Sequence, residues 1–204
     1  MESPPAHAIL LAAGEGRRLG IPKAALQLRN QWMLPLLVRS LRNGGAEKVH
    51  LVLSDRALDA IADLGDPGAD RELINRDALA GRTGSIQTGW QQIPDSAAVL
   101  VHPCDMPLLQ AATVRALIAA WHADGAQAKA LVRPISAGQR GGHPLLLGPG
   151  WRSEIQASDP DRPLRDFLHL APEAVRDVRC DDPGAFLDVD TPEQLQLLEA
   201  LLPE

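Results

Sequence analysis

The sequence predicts an α/β domain with a mostly parallel sheet and helices on both of its faces. The main observation is that short apolar runs alternate with helical segments through the first 125 residues, which is typical of parallel sheets. The second is that several of these runs end in glycine-rich or acidic turns, where open α/β sheets bind their ligands. With 45% hydrophobic and 23% charged residues among 204, the composition is that of a globular protein, so we expect one domain over residues 1–204.

The first 125 residues supply four strand-and-helix pairs. The run at 9–13 has the continuous apolar character of a buried parallel strand. Strands are also predicted at 48–53, 72–74 and 97–101, and helices at 32–42, 55–64, from 85 onwards and at 110–123. Pro35 falls in the first turn of its helix, where a missing N–H does no harm, and glycines after Asn43 end that helix.

Residues 126–204 depart from this alternation. Two short strands at 129–135 and 143–147 are joined by a glycine-rich loop, and further strands are predicted at 174–178 and 186–189. Helices are predicted at 151–157, 164–170 and 192–202, the last with Thr191 as its N-cap and Pro192 as its first residue. We therefore expect a smaller embellishment near the end of the same domain.

The loop after the first strand combines glycines with basic side chains. Gly14 and Gly16 let the backbone turn sharply and bring its N–H groups close to an anion. Arg17, Arg18 and Lys23 lie among or just after the glycines and supply the positive charge that a polyphosphate requires. The pattern favours a phosphate-binding loop over the alternative, an ordinary strand-to-helix turn with solvated arginines.

Carboxylates follow later strands of the predicted sheet. Asp105 leaves the strand at 97–101 for a turn restricted by Pro107, so its carboxylate would be held in place, as a hard cation such as Mg²⁺ requires. Asp188 and Asp190 share a strand face by period-two spacing, and either could complete the metal site. The alternatives are that Asp105 begins a turn and that Asp190 helps to cap the last helix.

Charge and motif spacing argue against several other classes of protein. The net charge of −6 and the lack of tyrosine argue against a nucleic-acid partner. No apolar run approaches the roughly 20 residues of a membrane span, and the N-terminus lacks the basic region of a signal peptide, so we expect a cytoplasmic protein with no membrane partner. The dinucleotide-binding fingerprint expects a glycine where Leu19 stands, and no Gly-Lys-Ser/Thr forms a Walker A loop.

Three motifs in the correct order resemble the MobA-like nucleotidyltransferases. They are Leu11-Ala12-Ala13-Gly14-Glu15-Gly16-Arg17-Arg18-Leu19-Gly20-Ile21-Pro22-Lys23, Cys104-Asp105-Met106-Pro107-Leu108 and Asp188-Val189-Asp190-Thr191-Pro192-Glu193-Gln194-Leu195. The chain looks most like the molybdenum cofactor cytidylyltransferase branch, because it has LAAG where the guanylyl-transferring branch typically has LAGG. Gly141-Gly142-His143-Pro144 resembles that branch's Gly-His-Pro element, and Gly84-Ser85-Ile86 with Asn75 resembles its loop beside the nucleotide.

The resemblance implies a three-layer sandwich with a glycosyltransferase-A-like (Rossmann-like) nucleotidyltransferase fold. Residues 1–125 would be the nucleotide-binding part, and residues 126–204 the acceptor-binding part and closing helix. The implied reaction transfers a nucleoside monophosphate, CMP from CTP, to a phosphorylated acceptor such as molybdopterin, with Mg²⁺ as cofactor and release of pyrophosphate. A molybdoenzyme or another protein of the cofactor chain would be a protein partner. The alternatives are a sugar-phosphate or polyol-phosphate nucleotidyltransferase and a non-catalytic nucleotide-binding or cofactor-chaperone protein.

The same resemblance implies residue roles by position. Catalytic roles fall to Arg18, Lys23 and Asp105. Nucleotide contacts fall to Leu11, Ala12, Ala13, Gly14, Gly16, Arg18, Lys23, Asn75, Gly84 and Ser85. The metal would be held by Asp105 and Asp190, with Asp188 as the alternative, and the acceptor by Gly142, His143 and Pro144. Where the cytidylyltransferases often carry an Asp-x-Gly-Ala-Arg-like element, residues 159–166 here contain two prolines, so we expect a different acceptor pocket.

Overall fold

Within residues 3–77 and 81–201, which the computed structural model describes, the chain forms a seven-stranded sheet and a two-stranded hairpin. The strands are β1 (Ala6–Leu11), β2 (Gln27–Leu28), β3 (Gln31–Trp32), β4 (Val49–Leu53), β5 (Arg71–Ile74), β6 (Ala98–Pro103), β7 (Leu131–Ile135), β8 (Leu145–Leu147) and β9 (Val175–Arg179). The large sheet has the order β5-β4-β1-β6-β8-β7-β9. Strands β5, β4, β1 and β6 are parallel, as are β7 and β9, whereas β8 runs antiparallel to β6 and β7. This confirms the predicted mostly parallel sheet.

Helices cover both faces of this sheet and so complete three layers. They are α1 (Met33–Asn43), α2 (Asp55–Ile61), α3 (Arg82–Trp90), α4 (Ala111–Ala123), α5 (Arg152–Gln156), α6 (Arg165–Leu170) and α7 (Pro192–Leu201). Leu10 of β1 belongs to one core with buried residues of α1, α2 and α4, whereas Ile9 belongs to a second core with α3, α5 and α6. Neighbouring side chains of a strand point to opposite faces, so one apolar strand supplies both cores. None of the described helices is long and apolar enough to cross a membrane.

Most predicted elements are present with shifted ends. Helix α3 begins at Arg82, ahead of the predicted start at Ser85, and α2 ends at Ile61, three residues before the predicted end. The β2–β3 hairpin is not anticipated by the sequence pattern, because its two-residue strands are too short to show a period. Its turn places Arg29 and Asn30 at φ values of 48° and 62°, the left-handed region that tight hairpins need.

Residues 186–189 form irregular backbone, and the prediction of a strand there is wrong. The backbone N–H of Val189 donates to the carbonyl oxygen of Asp105 at 2.8 Å. This hydrogen bond runs to a loop and not to a neighbouring strand of the sheet. The inference that Asp188 and Asp190 share a strand face is therefore wrong as well.

The closing helix α7 begins as predicted. The backbone N–H of Gln194 donates to Thr191 Oγ1 at 3.3 Å, and the backbone N–H of Thr191 donates to Gln194 Oε1 at 3.0 Å. This reciprocal pair is a capping box, which satisfies N–H groups that the helix itself leaves unpaired. The backbone N–H of Asp190 also donates to Gln194 Oε1 at 2.7 Å, so the cap fixes the residue that precedes it.

Candidate functional site

A cleft of about 510 Å³ opens where β1 and β6 end, the edge at which parallel sheets bind ligands. We call it the glycine-loop cleft. Its lining is Leu11, Ala13, Gly14, Glu15, Gly16, Arg17, Arg18, Lys23, Gly81, Arg82, Ser85, Cys104, Asp105 and Asp190. Most of the residues predicted to bind nucleotide or metal are in this set. The cleft therefore brings together the loop after the first strand and both carboxylate segments.

The glycine loop owes its shape to a close backbone approach. Gly16 has a φ of +60°, and a Cβ built on it would lie 1.8 Å from the carbonyl oxygen of Ile21. The backbone N–H of Lys23 donates to the carbonyl oxygen of Gly14 at 3.3 Å, so the loop folds back on its own start. Only glycine fits at position 16, because any side chain would push the two passes of backbone apart.

Lys23 holds two carboxylates that are distant in sequence. Its Nζ donates to Asp105 Oδ2 at 2.6 Å and to Asp190 Oδ1. We call these three residues the Lys23 clamp. Burial acts to lower the pKa of Lys23, but the Asp105 and Asp190 carboxylates outweigh it and raise the pKa above its usual value. The hydrogen bond from Lys23 in turn lowers the pKa of Asp190, so lysine and carboxylate both stay charged.

Backbone hydrogen bonds fix the position of the clamp. The N–H of Cys104 donates to the carbonyl oxygen of Leu11 at 2.9 Å, which ties the end of β6 to the end of β1. The bond from Val189 to Asp105 then attaches the last segment to the same place. Asp105 is only 4% exposed. Its carboxylate is therefore held by packing, as a group that must bind without rearranging should be.

The donor set of the clamp fits a hard cation. Asp105 Oδ1 is buried and has no hydrogen-bond partner among the described residues, and a buried carboxylate oxygen normally has one. Carboxylate oxygens are the ligands that Mg²⁺ and Mn²⁺ prefer. Asp190 contributes the second carboxylate, whereas Asp188 is exposed and lies outside the cleft lining. No group of three or more His, Cys, Asp or Glu that could bind a metal occurs in the described ranges.

The other nucleotide-binding candidates lie beside or behind the cleft. Ser85 lines it, and Asn75 donates from Nδ2 to Ser85 Oγ at 3.0 Å. Asn75 is buried and outside the lining, so it positions the serine. Gly84 packs beneath against Pro160, to which an added Cβ would come within 3.2 Å. Ala12 is fully buried in the sheet core and does not reach the cleft, in contrast to its neighbours along the chain.

A second cavity of about 530 Å³ lies next to the first, and we call it the arginine cavity. Its lining is Arg82, Arg133, Gly141, Gly142, His143, Leu145, Asp161, Arg162, Pro163, Leu164, Arg165 and Leu168. Gly142 and His143, two of the predicted acceptor residues, are in this set, and Pro144 is not. The segment at 159–166, which lacks the expected Asp-x-Gly-Ala-Arg-like element, supplies five of these lining residues. The expectation of an altered acceptor pocket remains a prediction that this placement makes testable.

His143 in the arginine cavity and Cys104 in the glycine-loop cleft are both neutral groups. Burial lowers the pKa of His143, and nearby Arg82 lowers it further. The backbone N–H of His143 donates to the carbonyl oxygen of Ala185 at 2.9 Å, and Gly142 packs on the same carbonyl. His143 therefore shapes this loop as an uncharged residue. Burial likewise raises the pKa of the Cys104 thiol, which removes it as a nucleophile at neutral pH.

Four arginines of the arginine cavity are absent from the predicted site. Arg82 has a local signal, since it is a basic residue two positions before the predicted Gly84-Ser85 loop. The other three, Arg133, Arg162 and Arg165, come from a strand, a loop and a helix that only folding brings together. Nothing in their spacing distinguishes them from solvated surface arginines.

Comparisons with known proteins identify the family and the fold. A family model described as the MobA-like NTP transferase domain matches residues 8–178. The molybdenum cofactor guanylyltransferase of Shewanella loihica is 31% identical over 200 residues, with 96% of each chain covered. The bifunctional protein GlmU of Xanthomonas oryzae pv. oryzae is 34% identical over 131 residues, which span 61% of the chain and 27% of the length of GlmU. The crystal structure of Mycobacterium tuberculosis Rv0371C in complex with manganese superposes with a TM-score of 0.75 and 22% sequence identity. The match covers 98% of the present chain and 100% of the Rv0371C chain, so the two proteins share the fold.

Proposed function

The chain belongs to the MobA-like NTP transferase family and so carries a nucleotidyltransferase domain, and we propose that it transfers a nucleoside monophosphate from a triphosphate to a phosphorylated acceptor. The observation that carries this proposal is the Lys23 clamp beside the glycine loop. A lysine that fixes two carboxylates at the mouth of an anion-binding loop is suited to positioning a metal-bound polyphosphate. A protein that only stored a nucleotide would not need a buried carboxylate with an unpaired oxygen.

The reaction is an in-line displacement at phosphorus. A phosphate oxygen of the acceptor forms a bond to the α-phosphorus, the bond from that phosphorus to the bridging oxygen breaks, and pyrophosphate leaves with the bonding electrons. Such transfers depend on positioning and charge stabilisation and need no protein nucleophile. The backbone N–H groups of Gly14 and Gly16 and the side chains of Arg18 and Lys23 would hold the β- and γ-phosphates. A divalent ion on Asp105 and Asp190 would supply neutralising charge to the phosphate oxygens.

Two finer assignments belong to the same proposal. The acceptor would enter the arginine cavity, whose guanidinium groups match a phosphate and whose leucines would contact an apolar body. Molybdopterin is the acceptor we favour, because a full-length relative is a molybdenum cofactor guanylyltransferase. We favour CTP as donor, since the methyl group of Ala13 takes up space at the cleft wall, at the position where the LAGG motif typical of the guanylyl-transferring branch has glycine. Action in the cytoplasm, with a molybdoenzyme or another cofactor-chain protein as partner, completes the proposal.

Thermal shifts with CTP, GTP, ATP and UTP, each with and without Mg²⁺, test the nucleotide half. We expect the largest shift with CTP and Mg²⁺, and we expect the Asp105→Asn variant to lose the dependence on Mg²⁺. Pyrophosphate release is then measured with molybdopterin and with a panel of sugar and polyol phosphates. If pyrophosphate is released with a sugar phosphate but not with molybdopterin, the proposed reaction stands and a sugar phosphate becomes the acceptor. A protein that binds no triphosphate in the presence of Mg²⁺ or Mn²⁺ would contradict the proposal.

A further inference from the structure

Arg82 connects the two cavities. It lines both the glycine-loop cleft and the arginine cavity, and among the described residues it is the one common to the two linings. It is the first residue of α3, following Gly81, whose φ of +92° turns the chain into the helix. A side chain that begins at this junction can reach ligands on either side.

The guanidinium of Arg82 is available to a ligand. Its Nη2 lies 3.7 Å from Asp105 Oδ2, which is an ion-pair distance but longer than a hydrogen bond. The side chain is 62% exposed, whereas Asp105 beneath it is buried. Asp105 thus attracts the guanidinium to the cleft without using its N–H donors. Both spaces in which the ligands would lie, the glycine-loop cleft and the arginine cavity, are lined by this side chain.

We propose that Arg82 is a catalytic residue that contacts the α-phosphate of the donor and the phosphate of the acceptor at the same time. This inference rests on the proposed function. Two anionic phosphates must come within bonding distance during the transfer, and their mutual repulsion opposes it. A guanidinium offers five N–H donors in a planar fork, so it can bind oxygens of both groups and keep its charge throughout. Arg82 exchanges no proton in the step.

The remaining arginines are placed for one ligand each. Arg17 and Arg18 line only the glycine-loop cleft, and Arg18 lies 4.0 Å from Asp190. Arg133 lines only the arginine cavity and is held by Asp177 at 2.7 Å. Arg162 and Arg165 also line only the arginine cavity. Their loss should weaken binding of one substrate, whereas loss of Arg82 should slow the transfer.

A comparison of three variants tests this difference, with CTP, Mg²⁺ and molybdopterin as substrates. We expect Arg82→Gln to lower kcat by about 100- to 1000-fold, the range seen when a group that stabilises transition-state charge is removed, and Arg82→Lys to recover part of it. The matched controls are Arg17→Gln, expected to raise mainly the KM for CTP, and Arg165→Gln, expected to raise mainly the KM for the acceptor, each with kcat within about threefold. A kcat within threefold of wild type in Arg82→Gln would overturn the proposal.

A binding measurement tests the bridge without turnover. The dissociation constant of CTP with Mg²⁺ is measured with and without inorganic phosphate as the probe for the acceptor anion. If Arg82 offsets the repulsion between the two anions, phosphate should weaken CTP binding several-fold more in Arg82→Gln than in wild type or in Arg165→Gln. Equal effects in all three proteins would contradict the bridge. If phosphate weakens CTP binding more in Arg82→Gln than in wild type, but the wild-type protein releases no pyrophosphate with any acceptor, the bridge stands and the proposed function is contradicted.

Discussion

The two cavities carry different charges although they share a wall. The described lining of the glycine-loop cleft has four basic residues, Arg17, Arg18, Lys23 and Arg82, and three acidic ones, Glu15, Asp105 and Asp190. In the arginine cavity, four arginines meet a single carboxylate, that of Asp161. A near-balanced site suits an anion that arrives together with a cation, since carboxylates are needed to bind the metal. A strongly basic site suits an anion that arrives without one. The difference supports the proposal that the glycine-loop cleft takes the metal-bound triphosphate.

The largest effect is expected from changing the carboxylates of the glycine-loop cleft. Asp105→Asn should lower turnover by about 100- to 10,000-fold, because it removes the charge that holds the metal and half of the Lys23 clamp. The matched control is Asp188→Asn, which changes an exposed carboxylate outside the cleft and should stay within about twofold of wild type. Initial rates of pyrophosphate release give both values, and thermal unfolding checks that the variants fold. If Asp188→Asn were the more damaging change, the metal assignment would be wrong.

The next largest effect is expected from changing the backbone of the glycine loop in the same cleft. Gly16→Ala should weaken triphosphate binding about 10- to 100-fold, since its Cβ would lie 1.8 Å from the Ile21 carbonyl oxygen and the loop must open. Gly20→Ala is the control, because Gly20 has a similar φ of +78° but no atom within 4 Å of an added Cβ. It should therefore alter binding less than about threefold. Calorimetric titration with CTP and Mg²⁺ distinguishes the two, and equal losses would point to backbone strain instead of the close approach.

A third prediction concerns the pH dependence of stability, which we expect to arise from two histidines in the sheet away from both cavities. His7 Nδ1 and His50 Nε2 lie 3.2 Å apart in the core, and burial lowers the pKa of His50 to about 4 and also lowers the pKa of His7. The unfolded chain binds protons on these rings below about pH 6.5, whereas the folded chain does so only at lower pH. Acidification from pH 7 to pH 5 should therefore reduce the free energy of unfolding by about 2 kcal/mol through His50 alone.

Denaturant unfolding at several pH values measures this dependence. The His50→Leu variant should show a shallower pH slope, whatever its stability at pH 7, because it lacks one of the titrating rings. The charged groups that act on the His50 ring are Asp70, Lys48 and Arg71, together with His7, and they are unchanged in the variant. An unaltered slope would assign the pH dependence to other groups, such as the buried His102, whose pKa burial lowers to about 3.

The smallest expected effect concerns the preference for one nucleotide base over another. Ala13→Gly removes a methyl group from the cleft wall, and a single methyl discriminates by about 1 kcal/mol. The ratio of kcat/KM for CTP to that for GTP should therefore fall by about three- to tenfold. Competition between the two triphosphates in one reaction measures the ratio directly. A ratio that does not change would show that Ala13 lies away from the base.

The sequence predicts the glycine-loop cleft far better than the arginine cavity, for a physical reason. Gly14 and Asp105 come within three residues of the ends of the buried parallel strands β1 and β6, and Lys23 ends the loop that Gly14 begins. The carboxyl ends of such strands meet at one edge of the sheet. Local patterns therefore place them. The choice between Asp188 and Asp190 is not predictable in this way, because it depends on a hydrogen bond from Val189 to a distant loop.

The arginine cavity has no comparable local pattern. Arg133 is on β7, Arg162 is in the segment of 159–166, and Arg165 begins α6, so their approach depends on how the late elements pack on the sheet. An arginine has the same appearance in sequence whether it lines a cavity or faces solvent. The loop at 141–144 is the exception, and it was predicted by resemblance to related proteins and not by any physical rule.

The Lys23 clamp also bears on the order of events during synthesis and folding. Lys23 is separated from its two carboxylates by 82 and 167 positions along the chain. Contacts between such distant residues form slowly, because long loops must close first. A growing chain can thus fold its glycine loop long before Asp190 has been made, and in that state it lacks the second carboxylate. If the proposed function holds, such a chain should turn over no nucleotide until this last contact forms.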